Sequence, residues 1–336
     1  MSNTNASPTI FGFDFQVNAA IVLMLENIKD LKKLRLEGKT EDIELTMNNG
    51  KKVFAQAKSV VKASTDFNNV RPNLKKAIST LSNADGNDVD KLILITNSVN
   101  PLNEEKSKGF FWGPPTDIGY LDLPDEGKEI IDNIVQQLGV TLDTTKFRIK
   151  FFRFETDNEN ERYKTIHNMI TDFVIRLGIS RDVSVTDLMN VWQKDIFMNG
   201  SKTNVKILLD KEQLIWPIIV LSIGKQIRTD YLDDYDPGLA EEIAKQYSDF
   251  IDNCSEKYEL VTQVLYDFKQ FDFASQGLTR KQGAQRFIDY FWKDYVDVLA
   301  LKSLDNELQE GVSKLVISKI IQQRFTIDAI KRGVSL

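Results

Sequence analysis

The chain has 336 residues and a net charge of −6, with 42% hydrophobic and 27% charged residues. This composition is typical of a soluble globular protein with one large domain or two ordinary ones, and it excludes a disordered chain. The single cysteine, Cys254, and the single histidine, His167, exclude an intramolecular disulfide and cysteine-based zinc sites and argue against serine or cysteine catalytic triads. An enzyme of this composition would use carboxylates, lysine and a hard metal ion.

No targeting or membrane segment is predicted. The first ten residues read MSNTNASPTI and lack the basic and apolar regions of a secretory signal. The longest apolar run is LIWPIIVLSIG, from Leu214, and it is shorter than the roughly 20 residues that cross a bilayer. We therefore expect a cytoplasmic protein with no membrane partner.

Hydrophobic periodicity predicts alternating helices and strands at the start of the chain. Apolar residues recur at helical spacing in FQVNAAIVLMLENIKDLKKL, from Phe15. A β-hairpin is predicted by two alternating stretches, EDIELTM and KKVFAQAKSVV, on either side of the turn signal NNG. A helix is then predicted for VRPNLKKAISTLSN, from Val70, and a strand buried on both faces for DKLILITNSV, from Asp90.

The segment that follows completes this half of the chain. Residues 101–123 are rich in glycine, proline and aromatic residues and predict a long ordered loop. A helix ending in glycine is predicted for DEGKEIIDNIVQQLG, and an edge or final strand for KFRIKFFRFE. The order of elements over about residues 10–156 predicts an α/β sandwich with a mixed sheet. Beyond the polar junction ETDNENERYK the pattern is helical to the end, so we predict an α+β fold.

Three polar residues of the predicted hairpin carry the candidate chemistry. Asp42 is assigned to its first strand, and Gln56 and Lys58 point to the same face of its second strand. A tight turn brings the two strands into register, so these side chains can converge at one end of the sheet. A carboxylate and an amide oxygen beside a lysine favour a Mg²⁺ site. The metal would polarise a phosphate, and Lys58 would position or deprotonate the attacking water.

With these segments in this order, the first half of the chain resembles the PD-(D/E)XK superfamily of restriction-endonuclease-like proteins. The matching segments are FGFDFQVNAA with Gln16, EGKTEDIEL with Asp42, FAQAKS with Gln56 and Lys58, and the strand LILITN. Within the superfamily the chain looks most like the double-stranded-DNA endonuclease domain of antiphage effectors of the CD-NTase-associated type. The resemblance assigns residues 8–156 to a nuclease domain and residues 157–336 to a helical assembly or regulatory domain.

The resemblance also implies the roles of individual residues. It implies Asp42 and Gln56 at a Mg²⁺ or Mn²⁺ ion, with the backbone carbonyl of Ala57 as a further ligand. It implies Lys58 as the catalytic lysine and Gln16 as an accessory residue carried by the first helix. Two residues depart from the family pattern, because Gln56 replaces a carboxylate and Gln16 replaces a glutamate. The first change lowers the negative charge of the site and therefore its affinity for a metal.

Two glutamates lie close to this constellation in the sequence. For both Glu37 and Glu41 we expect a solvated position rather than a catalytic one. Glu37 is the better candidate of the two for an outlying metal ligand.

Residues 51–80 are strongly basic in a chain of negative net charge. They contain seven basic residues and one acidic residue, Asp66. A local basic face on an acidic protein is expected of an enzyme that acts on nucleic acids. We predict that this stretch flanks the active site and contacts DNA phosphates, with a plain solvated face as the alternative. The candidate DNA-binding residues are Lys51, Lys52, Lys62, Arg71, Lys75 and Lys76.

The helical half of the sequence favours contacts with proteins. It contains acidic stretches such as RTDYLDDYDPGLAEE and aromatic helices around residues 287–292, which offer apolar area for self-association or for a partner. It has no glycine-rich phosphate loop. A nuclease followed by such a region resembles the effector subunit of a Lamassu-type system, which implies an SMC-like ATPase and a small third subunit as partners. A nuclease that works with a hexameric DNA translocase is a related alternative.

The site residues together with the resemblance predict a metal-dependent DNA endonuclease, and the resemblance implies that it is the effector of a bacterial antiphage system. It would be held inactive in complex with an ATPase partner and activated by release or homo-oligomerisation. The main alternative is a catalytically silent DNA-binding or scaffold subunit of an SMC-like ATPase complex. An enzyme that acts on small molecules is disfavoured, because the sequence contains no Walker A loop, no GxGxxG motif and no second histidine.

Overall fold

A seven-stranded mixed β-sheet organises the first half of the chain. The protein is described by a computed structural model that covers residues 6–63, 65, 67–112, 115–223, 236–255, 257–272 and 277–336. The strands are β1 Leu31–Leu36, β2 Ile43–Met47, β3 Lys52–Lys58, β4 Val89–Thr96, β5 Thr116–Gly119, β6 Phe147–Phe151 and β7 Leu209–Asp210. They lie in the order β5-β6-β4-β3-β2-β1-β7. The β3–β4 and β4–β6 pairs are parallel, and the other pairs are antiparallel.

Helices supply most of the remaining regular structure in the described part of the chain, which together with the sheet confirms the predicted α+β class. They are α1 Ser7–Asn27, α2 Val70–Ala84, α3 Glu105–Lys108, α4 Asp125–Leu138, α5 Glu159–Arg176, α6 Val185–Gly200, α7 Lys211–Ile223, α8 Pro237–Gln246, α9 Ser248–Ser255, α10 Tyr258–Gln270, α11 Arg280–Tyr295, α12 Asn306–Gln322 and α13 Arg324–Val334. Short 3-10 turns occur at Gly109–Phe111, Tyr120–Asp122 and Thr144–Lys146.

The predicted hairpin forms from β2 and β3 around the turn at residues 48–50. The Gly50 N–H donates to the Met47 carbonyl at 3.0 Å, and Gly50 has a φ of +80°, which suits glycine because it has no Cβ. The strands pair so that Ile43 lies opposite Ala55. Asp42 therefore comes directly before β2, not within it as predicted, and the register continues toward Gln56.

Alternation along β3 decides which helical layer each side chain meets. Phe54 packs in a buried cluster with Leu74 and Ile78 of α2, while α1 packs against β1, β2 and β3. Side chains two residues apart in a strand share a face. Gln56 and Lys58 therefore lie on the same side of the sheet as Phe54 and face α2.

Two predictions for the end of this half were wrong in part. Strand β6 lies between β4 and β5 and is not an edge strand. Residues 101–123 are not a continuous loop, because they contain α3 and β5. The buried Lys150 of β6 explains why an interior strand can look basic: its Nζ lies 2.9 Å from a carboxylate oxygen of Glu26 and 3.3 Å from one of Asp117. Buried charges need such partners.

The sheet belongs to a compact unit that continues past the predicted domain boundary. This unit comprises Met1–Phe173, Val185–Leu214 and Ser335–Leu336, so its limits do not coincide with residues 156 and 157. Helix α6 packs against α1 and β1, and β7 pairs with β1 at the edge of the sheet.

The buried Arg35 of β1 fastens this later segment to the sheet. Its guanidinium donates to the carbonyls of Asn199 at 2.5 Å, Lys202 at 2.8 Å and Ile207 at 3.1 Å. A planar group with five N–H donors suits several backbone acceptors at once. Residues 199–207 are therefore held by the strand that leads into the predicted active site.

The second compact unit comprises Val174–Ser184 and Ile215–Val334 and is helical in its described part. Helix α12 contacts α8, α9, α10, α11 and α13. It is buried on all sides, which explains why its sequence is apolar without a clear stripe. Of the aromatic residues predicted to offer a docking surface, Phe287 and Trp292 are buried in the core, whereas Tyr290 is 77% exposed. Most of the acidic stretch, residues 228–235, lies outside the described residues.

Helix α1 is the one described helix that is long and apolar enough to cross a membrane. It has 21 residues, and 61% of its most apolar window is buried inside the protein. Phe15, Ala19 and Leu23 are among its fully buried residues. This burial is typical of the core helix of a soluble protein.

Candidate active site

A cavity of about 760 Å³ lies around the C-terminal end of β3. The turn between β1 and β2 and the helix α2 contribute the other walls. Its polar lining residues are Glu37, Thr40, Glu41, Asp42, Gln56, Lys58, Lys75, Lys76, Ser79 and Thr80. The cavity thus collects Asp42, Gln56 and Lys58, the three residues that the hairpin pattern singled out.

Asp42 and Lys58 lie side by side in this cavity. Asp42 Oδ2 is 3.5 Å from Lys58 Nζ and accepts a hydrogen bond from the Ala57 N–H at 2.9 Å. The Asp42 side chain is 16% exposed and that of Lys58 is 25% exposed, so both are partly buried. The N–H and C=O of a strand residue point to the same side, so the Ala57 carbonyl is directed toward the end of β2 where Asp42 lies.

Gln56 is held against α2 by a single strong contact. Its Oε1 accepts a hydrogen bond from the Thr80 hydroxyl at 2.7 Å, and the residue is only 4% exposed. An amide oxygen has two lone pairs, so one remains available on the cavity side of the strand.

The turn between β1 and β2 is tightly built. The Glu37 N–H donates to the Asp42 carbonyl at 2.7 Å, and the Gly38 N–H donates to the Glu41 carbonyl at 3.0 Å. Glu44 Oε1 accepts the Glu41 N–H at 3.2 Å. A Cβ at position 38 would lie 2.2 Å from the Glu44 side chain, so a larger residue there would displace the Glu44 carboxylate. Glu37 has a φ of +52°, a strained conformation for a residue with a side chain.

Glu41 is buried, and the prediction that it is solvated was wrong. It is 4% exposed, and no donor among the described residues makes a hydrogen bond of acceptable geometry with either carboxylate oxygen. The Thr80 hydroxyl is near, but its one hydrogen is engaged at 2.7 Å with Gln56 Oε1. Burial raises the pKa of Glu41 to about 8; the charge of Asp42 acts in the same direction, and Thr80 opposes it. The turn directs this side chain inward, toward α2.

Gln16 lies close to Glu37 at the edge of the site. Burial and the charge of Asp42 raise the pKa of the Glu37 carboxyl, and the nearby Gln16 amide opposes this shift. Gln16 itself is not among the lining residues. The predicted accessory residue is therefore a neighbour of the candidate outlying ligand and not part of the cavity wall.

The chemistry of the oxygen donors in this cavity fits a hard divalent cation. No group of three or more histidine, cysteine, aspartate or glutamate side chains among the described residues is arranged to hold a metal ion. The predicted set contains Asp42, with Glu37 as an outlying candidate, and depends otherwise on the Gln56 amide and the Ala57 carbonyl. Oxygen ligands of this kind suit Mg²⁺ and Mn²⁺. The two unsatisfied oxygens of Glu41 are a further sign that a cation fits here.

The basic residues of positions 51–80 do not form one surface. Lys75 and Lys76 are exposed and line the cavity. Lys51 and Lys52 lie at the opposite end of β3, roughly 20 Å from Lys58 at the usual rise of a strand. The prediction that the whole stretch flanks the site is therefore wrong for these two lysines.

Lys52 and the remaining basic candidates, Arg71 and Lys62, do not line the cavity. Lys52 Nζ is 2.8 Å from a carboxylate oxygen of Asp88, and Arg71 donates to the Asn103 carbonyl at 3.4 Å. Lys62 is exposed and does not line the cavity. Asp66, the acidic residue of the stretch, lies outside the described residues.

Sequence reasoning missed Thr80 and misjudged Glu41. Thr80 lies four residues after Lys76 in α2, so it shares a helical face with that lysine, and this spacing could have signalled it. For Glu41 the local signal is alternation, because in EDIELTM it shares the odd positions with the apolar residues Ile43 and Leu45. Comparisons with known protein families, with curated proteins and with solved structures found no match to this chain.

Proposed function

We propose that this protein is a metal-dependent double-stranded DNA endonuclease whose active site is the cavity around Asp42, Gln56 and Lys58. The observation that carries the proposal is the 3.5 Å approach of Lys58 Nζ to Asp42 Oδ2 within a polar cavity at the end of β3. Gln56 lies on the same face of β3 as Lys58, and Lys75 and Lys76 form an exposed basic wall. A carboxylate that can hold a divalent cation, a lysine beside it and a basic wall are suited to metal-dependent phosphodiester hydrolysis.

Each residue has a role that follows from its chemistry. Asp42, fixed by the Ala57 N–H at 2.9 Å, would hold Mg²⁺ or Mn²⁺ together with the Gln56 amide oxygen and the Ala57 carbonyl. The bound ion would polarise the phosphate and make water more acidic. Lys58 would orient or deprotonate the attacking water and offset the charge that develops on the phosphate. Gln16 would keep Glu37 in place as an outlying ligand.

The experiment that tests this function is cleavage of supercoiled plasmid by the purified chain with Mg²⁺, with Mn²⁺ and with a chelator. Nicking or linearisation only in the presence of metal is the expected result. DNA binding without any metal-dependent cleavage would instead support a catalytically silent DNA-binding or scaffold subunit. The observation that favours this second function is the uncharged amide of Gln56, because a carboxylate at that position would bind a metal ion more strongly.

The lysines of the cavity wall are expected to dominate DNA affinity. Reversing both charges, Lys75→Glu with Lys76→Glu, should weaken binding to all duplex sequences alike, because phosphate contacts carry no sequence information. The salt dependence should also flatten, with a slope of log K against log[salt] smaller by about 2, for two lost phosphate contacts. Fluorescence anisotropy of a labelled duplex between about 50 and 200 mM salt measures both effects.

Lys51→Glu with Lys52→Glu is the matched control, since it makes the same change of charge at the far end of β3. We expect this pair to have the smaller effect on affinity. Equal losses in the two double variants, or a loss confined to one base position, would contradict the assignment of the DNA-binding surface.

We propose further that this nuclease acts in the cytoplasm as the effector of an antiphage system, with an SMC-like ATPase and a small third subunit as partners. The resemblance of residues 8–156 to nuclease domains of such effectors supports this proposal. In the resting complex the helical region would bind a partner and keep nuclease domains apart. Co-purification of tagged chain with the products of its neighbouring genes tests it directly.

Double-strand cleavage is expected to need at least two copies of the chain. Each copy has one candidate site, and the two strands of a duplex are related by a two-fold axis that a symmetric dimer can match. Tyr290, 77% exposed on α11, offers apolar area for such an assembly. Light scattering and cleavage measured on the same chromatographic fractions should place activity with dimers or larger species. A stable monomer that makes double-strand breaks at full rate would rule this out.

A further inference from the structure

One buried carboxylate in the cavity has no function in the mechanism above. Glu41 is 4% exposed, and among the described residues no donor makes a hydrogen bond of acceptable geometry with its Oε1 or Oε2. Burying an acidic group without a partner is costly. The turn nevertheless directs this side chain into the cavity beside Asp42.

The contacts around Glu41 do not explain this burial. The Glu41 backbone is satisfied separately, because its N–H donates to Glu44 and its carbonyl accepts from Gly38. The lysine of the site, Lys58, has its nearest carboxylate oxygen on Asp42, at 3.5 Å. The two backbone hydrogen bonds of Glu41 and the Lys58–Asp42 ion pair would all form without a carboxylate at position 41.

Glu41 and Gln56 meet at the same point of α2. The Thr80 hydroxyl donates to Gln56 Oε1 at 2.7 Å, and it lies close enough to the Glu41 carboxyl to lower the pKa of that group. Gln56 brings an uncharged oxygen to this wall of the cavity, and Glu41 brings an acidic group with both oxygens unsatisfied. Glu41 can therefore supply the negative charge that the Gln56 amide lacks.

We propose that Glu41 is a direct ligand of a divalent cation, Mg²⁺ or Mn²⁺, beside Asp42, and that it supplies the carboxylate that Gln56 lacks. This inference rests on the proposed function, because it concerns the metal of the same site. The bound cation would be the missing partner of the Glu41 oxygens. The cavity would then have two carboxylate ligands, a number that is common for Mg²⁺ in proteins.

The test is the binding of Mn²⁺ alone to the full chain, measured by isothermal titration calorimetry after removal of metal by a chelator. Glu41→Gln keeps the size of the side chain but removes its charge, and it should weaken Mn²⁺ binding by about tenfold or more, since ligand charge sets affinity at such sites. Glu44→Gln is the matched control. It removes one carboxylate at the start of β2, next to the same turn, but keeps an oxygen that can accept the N–H groups of Thr40 and Glu41. Its affinity should stay close to that of the wild type.

A charge swap sharpens the test. The double variant Glu41→Gln with Gln56→Glu moves the carboxylate from position 41 to position 56. It should restore most of the lost Mn²⁺ affinity. Circular dichroism and the metal-free melting temperature report whether each variant is folded. If Glu41→Gln does not fold, Glu41→Asp replaces it, because it keeps the charge but withdraws the oxygens by one methylene; it too should lose affinity.

The outcomes separate this inference from the endonuclease proposal. Wild-type Mn²⁺ affinity in a folded Glu41 variant, or an equal loss in Glu44→Gln, would overturn the role of Glu41 even if the protein cuts DNA. No Mn²⁺ binding by the wild-type chain would overturn it as well. Binding that depends on Glu41, in a protein that does not cut DNA, would support this inference and contradict the endonuclease proposal.

Discussion

Replacing Lys58 by methionine is expected to lower metal-dependent DNA cleavage by about a thousandfold, which corresponds to roughly 4 kcal/mol of activation free energy. The loss follows because the Lys58 ammonium, 3.5 Å from Asp42 Oδ2, would no longer orient the attacking water or offset charge on the phosphate. Methionine keeps most of the aliphatic stem of a partly buried side chain, so the fold should persist. Single-turnover plasmid cleavage with Mg²⁺ measures the effect, and circular dichroism monitors folding.

Two further variants make this result specific. Asp42→Asn should lose cleavage to a similar degree. The asparagine keeps an oxygen that can accept the Ala57 N–H, which in the wild-type protein donates to Asp42 Oδ2 at 2.9 Å. Lys32→Met removes an exposed lysine of β1 that does not line the cavity, and it should cut DNA as the wild type does. Cleavage at the wild-type rate by Lys58→Met would contradict the proposed active site.

A chain that ends at residue 156 is expected to lose the cooperative fold of the sheet. The truncation removes Leu188, Trp192 and Ile196 of α6, which are fully buried, and each buried side chain of this size contributes about 1.5–3 kcal/mol. It also removes the carbonyl partners of the buried Arg35 guanidinium. Together these losses approach the total stability of a typical domain, about 5–15 kcal/mol.

A chain that ends at residue 214 provides the comparison, because it retains α5, α6 and β7. Thermal unfolding followed by circular dichroism, together with limited proteolysis, should show that this longer chain melts at a clearly higher temperature than the shorter one. A chain of residues 1–156 that unfolds cooperatively within a few degrees of the full-length protein would show that the sheet does not depend on the later segments.

Local sequence determined the part of the protein that brings the candidate chemistry together. The alternating strands and the Asn-Asn-Gly turn specify the hairpin, and its register alone places Asp42 at the end of β3 where Gln56 and Lys58 share a face. The apolar spacing of α2 specifies which of its faces is buried. These features depend on residues within about one turn or one strand pair of each other, which is why a single sequence predicts them.

Other features were decided only by the tertiary structure, because their partners lie far away in the chain. Strand β6 can be interior because Lys150 meets Glu26, 124 residues earlier. Strand β7 has only two residues. Its pairing depends on the hydrogen bonds of the Arg35 guanidinium, one of which reaches the Asn199 carbonyl, 164 positions later in the chain.

The same reason explains the misjudged site residues. Lys52 and Lys75 belong to one basic stretch of sequence, but a strand and a helix carry them to different ends of the sheet. In the alternating stretch EDIELTM, Glu41 takes the same positions as the buried Ile43 and Leu45, and the turn that contains it is closed by Glu44 and lies near Thr80. Burial is a property of what packs over a residue, and for this carboxylate the covering element comes from a helix about forty residues later in the chain.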